Sequence, residues 1–374
     1  MEKKKIVFFV ESMHCGGAER SLLSLLSNLD ADKYNIDLFV IRKGGEFEKF
    51  IPEWIKYKSL DLNFSLIGRV KYKLHSLLNS KTHKAQLFWR SFKNEIKTYE
   101  ETYDIAVGWG QGFATYFTAE KIKAKRKYAW VNIDYEKAGY QFKYDKEIYE
   151  HFDKIIGVSE FVKQSMQKHI LSNNVIHIRN IIDAVDINSR ANDKKSVEFD
   201  QDKLSLVSIG RLAKQKAFDL TIKAAKVLSD QKVDFKWYII GEGTERKYLE
   251  DLISEYALED KVLLLGFRDN PYPYIKACDI YVQTSAFEGL GRTLIEASIL
   301  CKPIVTTNFP TAYGLVEDGK TGFITEMQPE KIAEMIKLLY TDKELYLKMI
   351  ETLSSKTDNE KQKTLEKVYT LFDE

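Results

Sequence analysis

Two glutamates, Glu288 and Glu296, lie on either side of a Gly-x-Gly turn at residues 289–291. Residues 280–284 are apolar and favour a strand, whereas residues 293–300 have helical spacing, so the turn should join a strand to a helix. Glycines at such a junction let backbone N–H groups approach a diphosphate, which also meets the positive end of the helix. The two carboxylates could accept hydrogen bonds from the hydroxyls of a sugar and of a ribose. The pattern indicates a sugar-nucleotide site, and the alternative is an ordinary strand–turn–helix with solvated acids.

A second strand–loop–helix unit carries cations. Residues 204–209 are apolar and lead into Gly210, Arg211 and Lys216, after which residues 218–228 have a helical pattern. Arg211 offers a planar fork of donors and Lys216 a mobile point charge, so together they could neutralise a diphosphate as it leaves. As plain surface cations they would stand near a helix start, where the dipole disfavours positive charge. We therefore interpret them as ligands of an anion.

The order of these and other motifs resembles the retaining glycosyltransferases of family four (glycosyl transferases group 1), and the resemblance covers nearly the whole chain. The motifs are Gly16-Gly17-Ala-Glu-Arg20, Gly210-Arg211 with Lys214 and Lys216, Ile239-Ile-Gly241-Glu-Gly243, Gly266-Phe267, Ala277-Cys-Asp279-Ile-Tyr-Val-Gln-Thr-Ser285, Glu288 with Glu296, Lys302-Pro303-Ile-Val-Thr, and Glu317-Asp-Gly-Lys-Thr-Gly322-Phe.

The resemblance implies an α/β protein of the GT-B fold, in which two Rossmann-like, doubly wound parallel-sheet domains face a central cleft. It also implies transfer of a hexosyl-type sugar from a nucleoside diphosphate sugar, with a UDP-sugar expected, to an acceptor hydroxyl. Retention at the anomeric carbon and the absence of a metal or other cofactor are part of that expectation. The setting it suggests is the assembly of a bacterial-type surface polysaccharide or glycolipid, with a free or lipid-linked saccharide as acceptor.

The same resemblance assigns roles to residues. Arg211, Lys216 and Glu288 are expected to be catalytic: the two cations hold the diphosphate and Glu288 meets the sugar, while Glu296 meets the ribose. The residues expected to contact the donor are Gly16, Gly17, Arg211, Lys216, Phe267, Arg268, Glu288, Gly289, Leu290, Gly291, Arg292, Thr293 and Glu296.

The chain departs from the family pattern at three places. Ala217 follows Lys216 where glycine is usual, which predicts a slightly different backbone path, and Gly314 replaces a frequent acidic residue. Asn132 stands where many relatives have a histidine in the first domain. The candidates for the acceptor side are therefore His14, Asn132 and Asp134, and Asp134 would equally serve as a helix cap.

Composition fits two ordinary domains, since the chain has 374 residues, is 44% hydrophobic and contains only six prolines. Charged residues lead directly into a strand at the N-terminus, and there is no long apolar run, so a cytoplasmic protein is expected, with peripheral attachment to the inner face of a membrane as the alternative. Cys15, Cys278 and Cys301 are too few and too widely spaced to suggest disulfides or a zinc site.

Alternating strand and helix patterns divide the chain. The predicted strands of the first domain cover residues 6–11, 36–41, 104–108, 128–131, 154–158 and 175–178, and those of the second cover 204–209, 235–241, 262–265, 280–284 and 303–306. The expected organisation is an acceptor-binding domain at 1–183, a linker at 184–202, a nucleotide-sugar-binding domain at 203–355, and a helix at 356–374 that crosses back to the first domain. Parallel sheets bind ligands at the carboxyl ends of their strands, where all of these motifs lie.

Charge is shared unevenly, because residues 1–185 carry 30 Lys and Arg against 23 Asp and Glu, whereas the remainder is acidic. The basic residues are mixed with aromatics at 69–73, 89–93 and 121–127, a composition that suits an anionic membrane surface. A solvated helix face over core aromatics explains it equally well. Nucleic acid is the weaker interpretation, because no binding motif accompanies the charge.

Two other classes of function stay open. A nucleotide-sugar epimerase or a phosphorylase can share the fold, but the former needs further acid and base residues, and the latter a phosphate or cofactor site. A non-catalytic, nucleotide-sugar-binding partner subunit is favoured by the missing histidine and disfavoured by the complete set of Arg211, Lys216, Glu288 and Glu296.

Overall fold

The computed structural model describes residues 2–14, 16–60, 62, 64–79, 82–170, 173–193, 199–200, 202–356 and 360–374. They form two compact units. The first comprises Met1–Ile181 and Gln362–Glu374, and the second comprises Ile182–Lys361.

Within the described residues the strands are β1 (Lys4–Phe9), β2 (Tyr34–Val40), β3 (Lys56–Ser59), β4 (Tyr99–Trp109), β5 (Ile122–Val131), β6 (Lys154–Gly157), β7 (Val175–His177), β8 (Leu204–Ile209), β9 (Phe235–Ile240), β10 (Val262–Gly266), β11 (Ile280–Gln283), β12 (Ile304–Thr307) and β13 (Gly322–Thr325).

The α-helices of the same residues are α1 (Gly17–Leu26), α2 (Leu66–Leu78), α3 (Lys84–Phe92), α4 (Phe113–Lys121), α5 (Lys146–Tyr149), α6 (Glu160–Gln167), α7 (Ala184–Ala191), α8 (Phe218–Asp230), α9 (Arg246–Glu255), α10 (Tyr272–Ala277), α11 (Arg292–Ile299), α12 (Pro329–Thr341), α13 (Lys343–Ser354) and α14 (Glu360–Asp373). None of them is long and apolar enough to cross a membrane.

Each unit is built on one parallel sheet. Over the described residues the first sheet has the order β3-β2-β1-β4-β5-β6-β7 and the second the order β10-β9-β8-β11-β12-β13. The central strands are apolar on both faces, as a sheet covered by helices on both sides requires. In β1, for example, Phe8 and Phe9 are fully buried, and Ile6 lies opposite Ile36 and Ile105. The expectation of two doubly wound parallel-sheet domains is confirmed.

The last helix packs on the first sheet. The Phe372 ring lies 6.2 Å from the Phe8 ring and 6.3 Å from the Tyr128 ring. The Tyr128 hydroxyl donates to the carbonyl of Leu371 at 2.9 Å. The apolar stripe of α14 therefore belongs to the core of the first unit.

The predicted strands are present, with ends that differ by a few residues, but two edge strands were not predicted. Both β3 and β13 have only four residues, and β3 consists of Lys-Tyr-Lys-Ser, which lacks the apolar alternation on which strand prediction depends. A strand at the edge of a sheet is covered by fewer neighbours than a central strand. Its sequence therefore needs fewer apolar residues and is harder to recognise as a strand.

The linker predicted at 184–202 contains helix α7 in its first half, so that expectation needs correction there. Asp183 caps the helix, because its Oδ1 accepts hydrogen bonds from the backbone N–H groups of Val185 at 3.0 Å and Asp186 at 3.2 Å. Ile187 and Ala191 are buried, and α7 packs against α10 and α11 of the second unit. Residues 194–198 and 201 of the predicted linker lie outside the described residues.

Candidate functional site

The strand order reverses between β8 and β11 in the second sheet, and ligands of doubly wound sheets bind at the carboxyl ends of strands at such a point. The chain that leaves β8 carries Gly210, Arg211 and Lys216, and the chain that leaves β11 carries Ser285 and Glu288. The structure thus brings the two predicted motifs together at the carboxyl ends of the strands. Lys216 and Glu288, one from each motif, are 72 residues apart in sequence.

Glu288 is the centre of a buried hydrogen-bond network. Its Oε1 accepts from the Lys216 ammonium at 2.5 Å, from the Ser285 hydroxyl at 2.6 Å and from the Gln283 amide at 2.9 Å. Thr293 donates to the Oε1 of Gln283 at 2.7 Å and so fixes the orientation of that amide. The carboxylate is held in one position before any ligand binds.

Gln283 and Ser285 were not predicted as functional residues. Both are buried, at 4% and 0% exposure. Their sequence signal was available, because polar residues at the end of an apolar strand need hydrogen-bond partners once they are buried. The glutamate that satisfies them follows on the next turn of chain.

Lys216 is positioned by close packing of its stem and backbone. A Cβ at Gly210 would lie 3.1 Å from the Lys216 Cε, so the glycine makes room for the side chain. The Thr284 hydroxyl lies 3.0 Å from the carbonyls of both Lys216 and Ala217. The short 3₁₀ turn Lys214–Lys216 is thereby tied to the end of β11.

Ala217 is the residue that stands where the family pattern has glycine. It has φ 48° and ψ 47°, in the left-handed region that glycine occupies at much lower cost. The loop therefore keeps the conformation that glycine favours, although alanine occupies the position. The alanine methyl is nearly buried, at 9% exposure.

Arg211 differs from Lys216 in having its charge available. It is exposed, and among the residues that the structure describes no carboxylate lies within 4.0 Å of its guanidinium. Its neighbours are fixed, since the Leu212 N–H donates to the Glu242 carbonyl at 2.9 Å. An unpaired guanidinium at the carboxyl edge of a sheet is suited to binding an anion.

The glycine turn after Glu288 leads into helix α11. Gly291 precedes the helix with φ 75° and ψ 42°, so only glycine fits there without strain. Gly289, Leu290 and Gly291 are buried, and the first turn of α11 follows directly, with the Leu294 N–H donating to the Gly291 carbonyl at 3.0 Å. The predicted strand–turn–helix junction is therefore present, and its binding of an anion stays a prediction.

Glu296 lies one turn into α11 and is 2% exposed. Its Oε1 accepts from Arg292 Nε at 2.8 Å and from the Tyr272 hydroxyl at 3.2 Å. Burial disfavours the charge on Arg292, but the carboxylate of Glu296 outweighs it and raises the pKa of the guanidinium. The predicted ribose contact of Glu296 thus starts from a carboxylate that already has an ion-pair partner.

Phe267 and Arg268 follow Gly266 at the carboxyl end of β10, which is the edge strand of the same sheet. Arg268 donates from Nε to the Tyr274 hydroxyl at 3.3 Å and from a terminal nitrogen to the Phe267 carbonyl at 3.1 Å. Both residues therefore lie at the carboxyl ends of the strands, as Arg211 and Lys216 do. Strand β9 separates β10 from β8.

In the first unit the strand order reverses between β1 and β4. Gly16 follows β1 and precedes helix α1 with an extended backbone, and Gly17 begins that helix. His14 is exposed, and its Nδ1 lies 3.1 Å from Glu46 Oε2. Cys15, between them, lies outside the described residues. The predicted glycine pair thus stands at a helix N-terminus on the ligand-binding edge.

Asn132 and Asp134 follow β5 and have structural partners. Asn132 Oδ1 accepts from Asn180 Nδ2 at 2.9 Å, while its own Nδ2 is buried without a hydrogen-bond partner among the described residues. Asp134 is buried, and its Oδ1 accepts from the Lys137 N–H at 3.2 Å. This contact closes a turn, and no helix begins there, so the helix cap that the sequence offered as the alternative for Asp134 is not present.

Glu11 is a further acidic residue at this edge that the sequence did not single out. It follows β1, remains accessible to solvent, and accepts at Oε1 from the Phe113 N–H at 3.0 Å. Gly112 beside it has φ 87°, and a Cβ there would lie 2.7 Å from the Tyr140 hydroxyl. Glu11 and Phe113 are 102 residues apart, so only the folded sheet brings them together.

Among the described residues, no three His, Cys, Asp or Glu side chains come together as a metal site would require. Cys278 and Cys301 are free thiols. Burial raises the pKa of Cys278 to about 12, so this thiol is unreactive at neutral pH.

A known family model matches part of this chain. Residues 189–355, which include Arg211, Lys216, Glu288 and Glu296, match the family model described as glycosyl transferases group 1. Over this segment, which is a little less than half of the chain, the protein is similar to the glycosyl transferases group 1. The segment that matches contains the hydrogen-bond network around Glu288 and lies entirely within the second unit.

Two curated relatives illustrate the range of the family. The N-acetylgalactosamine-N,N'-diacetylbacillosaminyl-diphospho-undecaprenol 4-alpha-N-acetylgalactosaminyltransferase of Campylobacter jejuni is 40% identical over 126 residues, which are 33% of this chain and 34% of the relative. The poly(ribitol-phosphate) alpha-N-acetylglucosaminyltransferase of Staphylococcus aureus is 27% identical over 72% of this chain and 54% of its own length. These matches span about a third and about half of the relatives' lengths.

Solved structures extend the likeness over the whole chain. The Anabaena HepE structure in complex with UDP-glucose aligns with a TM-score of 0.71 at 19% identity, covering 98% of this chain and 100% of that one. At that identity the alignment establishes the fold, which is the GT-B fold of two parallel-sheet α/β domains.

Proposed function

We propose that this protein is a glycosyltransferase that moves a sugar from a nucleoside diphosphate sugar to an acceptor hydroxyl, with retention at the anomeric carbon and without a metal ion. The observation that carries the proposal is the set of Arg211, Lys216 and Glu288 at the point where the second sheet reverses its strand order. There the semi-buried ammonium of Lys216 contacts the fixed carboxylate of Glu288 shortly before helix α11, and the exposed Arg211 follows β8.

Charge development on the leaving group is the step these residues would assist. When the bond from the anomeric carbon to the diphosphate breaks, negative charge grows on the terminal phosphate. Arg211, Lys216 and the N–H groups after Gly291 would stabilise that charge, because preformed donors and cations need no reorganisation during the reaction. Lys216 can serve both partners, since its ammonium carries three donors and only one contacts Glu288.

Proton transfer need not involve a side chain. In a retaining reaction the acceptor hydroxyl approaches on the face that the leaving group vacates, so a phosphate oxygen can take its proton. Glu288 would then hold a hydroxyl of the donor sugar, and Glu296 a hydroxyl of the ribose. The fixed position of Glu288 favours this orienting role.

Donor and acceptor classes follow from the relatives. HepE was solved with UDP-glucose, which makes UDP-hexoses the first donors to test. The names of the two relatives include a diphospho-undecaprenol-linked saccharide and a poly(ribitol phosphate). We therefore propose an acceptor on a surface polysaccharide or glycolipid precursor.

The test is a transfer screen with the full chain. Purified protein is incubated with UDP-, GDP- and dTDP-sugars and with free or lipid-linked saccharides, and nucleoside diphosphate release and product formation are followed together. Product formation with at least one pair supports the proposal. Interconversion of donors without acceptor would indicate an epimerase, and phosphate-dependent cleavage a phosphorylase.

A further inference from the structure

Helix α2 of the first unit presents a continuous apolar stripe to solvent. The large apolar side chains concerned are between 53% and 82% exposed and comprise Leu66, Ile67, Val70, Leu74, Leu77 and Leu78. At 3.6 residues per turn, these six positions fall within one arc about 120° wide. Such a stripe is larger than the single exposed apolar residues that are normal on a protein surface.

The opposite side of α2 holds the helix in place. Gly68 is buried, and a Cβ there would lie 2.7 Å from the Phe92 ring of α3. His75 Nδ1 lies 2.9 Å from the Ser91 hydroxyl, and the Tyr72 ring lies 5.9 Å from that of Phe92. Packing on α3 therefore does not use the apolar stripe.

Cations flank the stripe on both sides. Arg69, Lys71 and Lys73 are exposed, and the helix contains no acidic residue. Within the described part of the chain, no carboxylate lies within 4.0 Å of any of the three. The helix thus combines an unpaired positive charge with an uncovered apolar face.

The other two basic segments of the first unit lack this combination. In 121–127, Lys123, Lys125 and Arg126 pair with acidic side chains at 2.6, 2.7 and 3.0 Å. In 89–93, Trp89 is buried and Lys93 lies 3.1 Å from Glu120. Of the three segments that the sequence suggested for a membrane surface, 69–73 is the one whose cations all lack an acidic partner among the described residues and lie beside an exposed apolar stripe.

We propose that α2 is the membrane-docking surface of this protein and that its partner is an anionic lipid bilayer. An apolar stripe flanked by Lys and Arg is the pattern of a helix that lies in the plane of the headgroups with its apolar side toward the acyl chains. The stems of the flanking cations can lie along the apolar boundary while their charges meet the lipid phosphates. A second copy of the chain fits less well, because it would bring two sets of the same cations together.

The test measures partitioning without substrates, so its outcome is separate from that of the glycosyl-transfer proposal. The full chain is co-sedimented with two kinds of vesicle. One contains phosphatidylcholine alone, and the other also contains about 30% phosphatidylglycerol as the anionic lipid. We expect binding to the anionic vesicles that weakens as salt is raised. Binding should fall on the order of a hundredfold in the variant Arg69→Gln/Lys71→Gln/Lys73→Gln, because three surface cations are lost.

Two further variants separate this surface from general effects. Ile67→Ser/Leu74→Ser/Leu77→Ser should reduce binding by about tenfold or more without lowering the melting temperature, because the three side chains are exposed. The matched control Lys123→Gln/Lys125→Gln/Arg126→Gln removes the same charge from paired residues and should change binding little. Equal loss in the control, or full binding in both α2 variants, would overturn the proposal. A dimer that the apolar variant abolishes, without vesicle binding by the parent protein, would also overturn it.

Discussion

The role of Lys216 can be isolated by the substitution Lys216→Met. Methionine keeps an unbranched stem of similar length, so the packing against Gly210, whose Cβ position lies 3.1 Å from Cε, is largely retained while the charge is removed. The substitution therefore tests the ammonium rather than the space it fills. Lys214→Met is the matched control, because Lys214 is exposed on the same 3₁₀ turn.

The magnitude follows from what the ammonium contacts. A charge-assisted hydrogen bond to a ligand contributes about 1.5–3 kcal/mol, so the affinity for a nucleoside diphosphate should fall roughly 10- to 150-fold. The protein should also lose about 1–3 kcal/mol of stability, because Glu288 loses its 2.5 Å ion pair but keeps the hydrogen bonds from Ser285 and Gln283. The leaving-group charge is largest in the transition state, so kcat should decrease as well.

Calorimetric titration with UDP, or with the nucleotide that the transfer screen identifies, measures the affinity, and denaturant unfolding measures the stability. The reasoning would be refuted if Lys216→Met bound the nucleotide as tightly as the parent protein. It would also be refuted if Lys214→Met weakened binding to the same extent.

Three further substitutions test the structure around the site and the first sheet. Ala217→Gly should raise the free energy of unfolding by up to about 1 kcal/mol, because glycine relieves the left-handed backbone at φ 48°, and a drop measured by denaturant unfolding would contradict this. Arg292→Met should lower stability by about 3–5 kcal/mol, since it leaves the buried Glu296 without its cation, and adding Glu296→Gln should recover part of the loss in the same assay. The Lys5 ammonium and the Tyr103 hydroxyl lower the pKa of Glu101 to about 2 from an ordinary 4.5, so this contact stabilises the fold above about pH 4.5 and the contribution is lost as the pH falls toward 2. In Lys5→Met the free energy of unfolding, measured at low salt, should therefore decrease less steeply as the pH falls over that range. An unchanged slope would argue against the contribution of the Lys5–Glu101 pair.

Much of the fold was predictable because the central strands are apolar on both faces. Runs such as residues 204–209 and 280–284 stand out in the sequence, and their order already indicates parallel pairing with helical crossovers. The edge strands β3 and β13 and the helix α7 carried weaker signals, since each has few buried residues. In α7 the capping residue Asp183 was visible in the sequence, yet its polar surroundings outweighed it.

For the site, the sequence predicted which motif residues lie at the ends of strands. Motif residues at strand ends converge because parallel strands share their carboxyl edge, which is why Lys216 meets Glu288 across 72 residues. Contacts that depend on side-chain direction could not be read in this way. The donation of Gln283 and Ser285 to one oxygen and the approach of Glu11 to Phe113 both depend on the folded geometry.

The charge pattern shows the same limit. The sequence identified three basic segments but could not tell which of them are neutralised by neighbours. Lys123 and Lys125 lie on β5, where Glu100 and Asp104 of the adjacent strand β4 pair with them. Cross-strand pairing of this kind is set by register, which a single sequence does not reveal.

The anomeric configuration of the product tests the central claim most directly. With the donor and acceptor found in the transfer screen, proton NMR of the newly formed linkage reports whether the α-configuration of a UDP-α-hexose is kept. The proposed retaining mechanism predicts an α-linked product that Lys216→Met forms more slowly. A β-linked product, or α-linked product formed at an unchanged rate by Lys216→Met, would contradict the proposed mechanism.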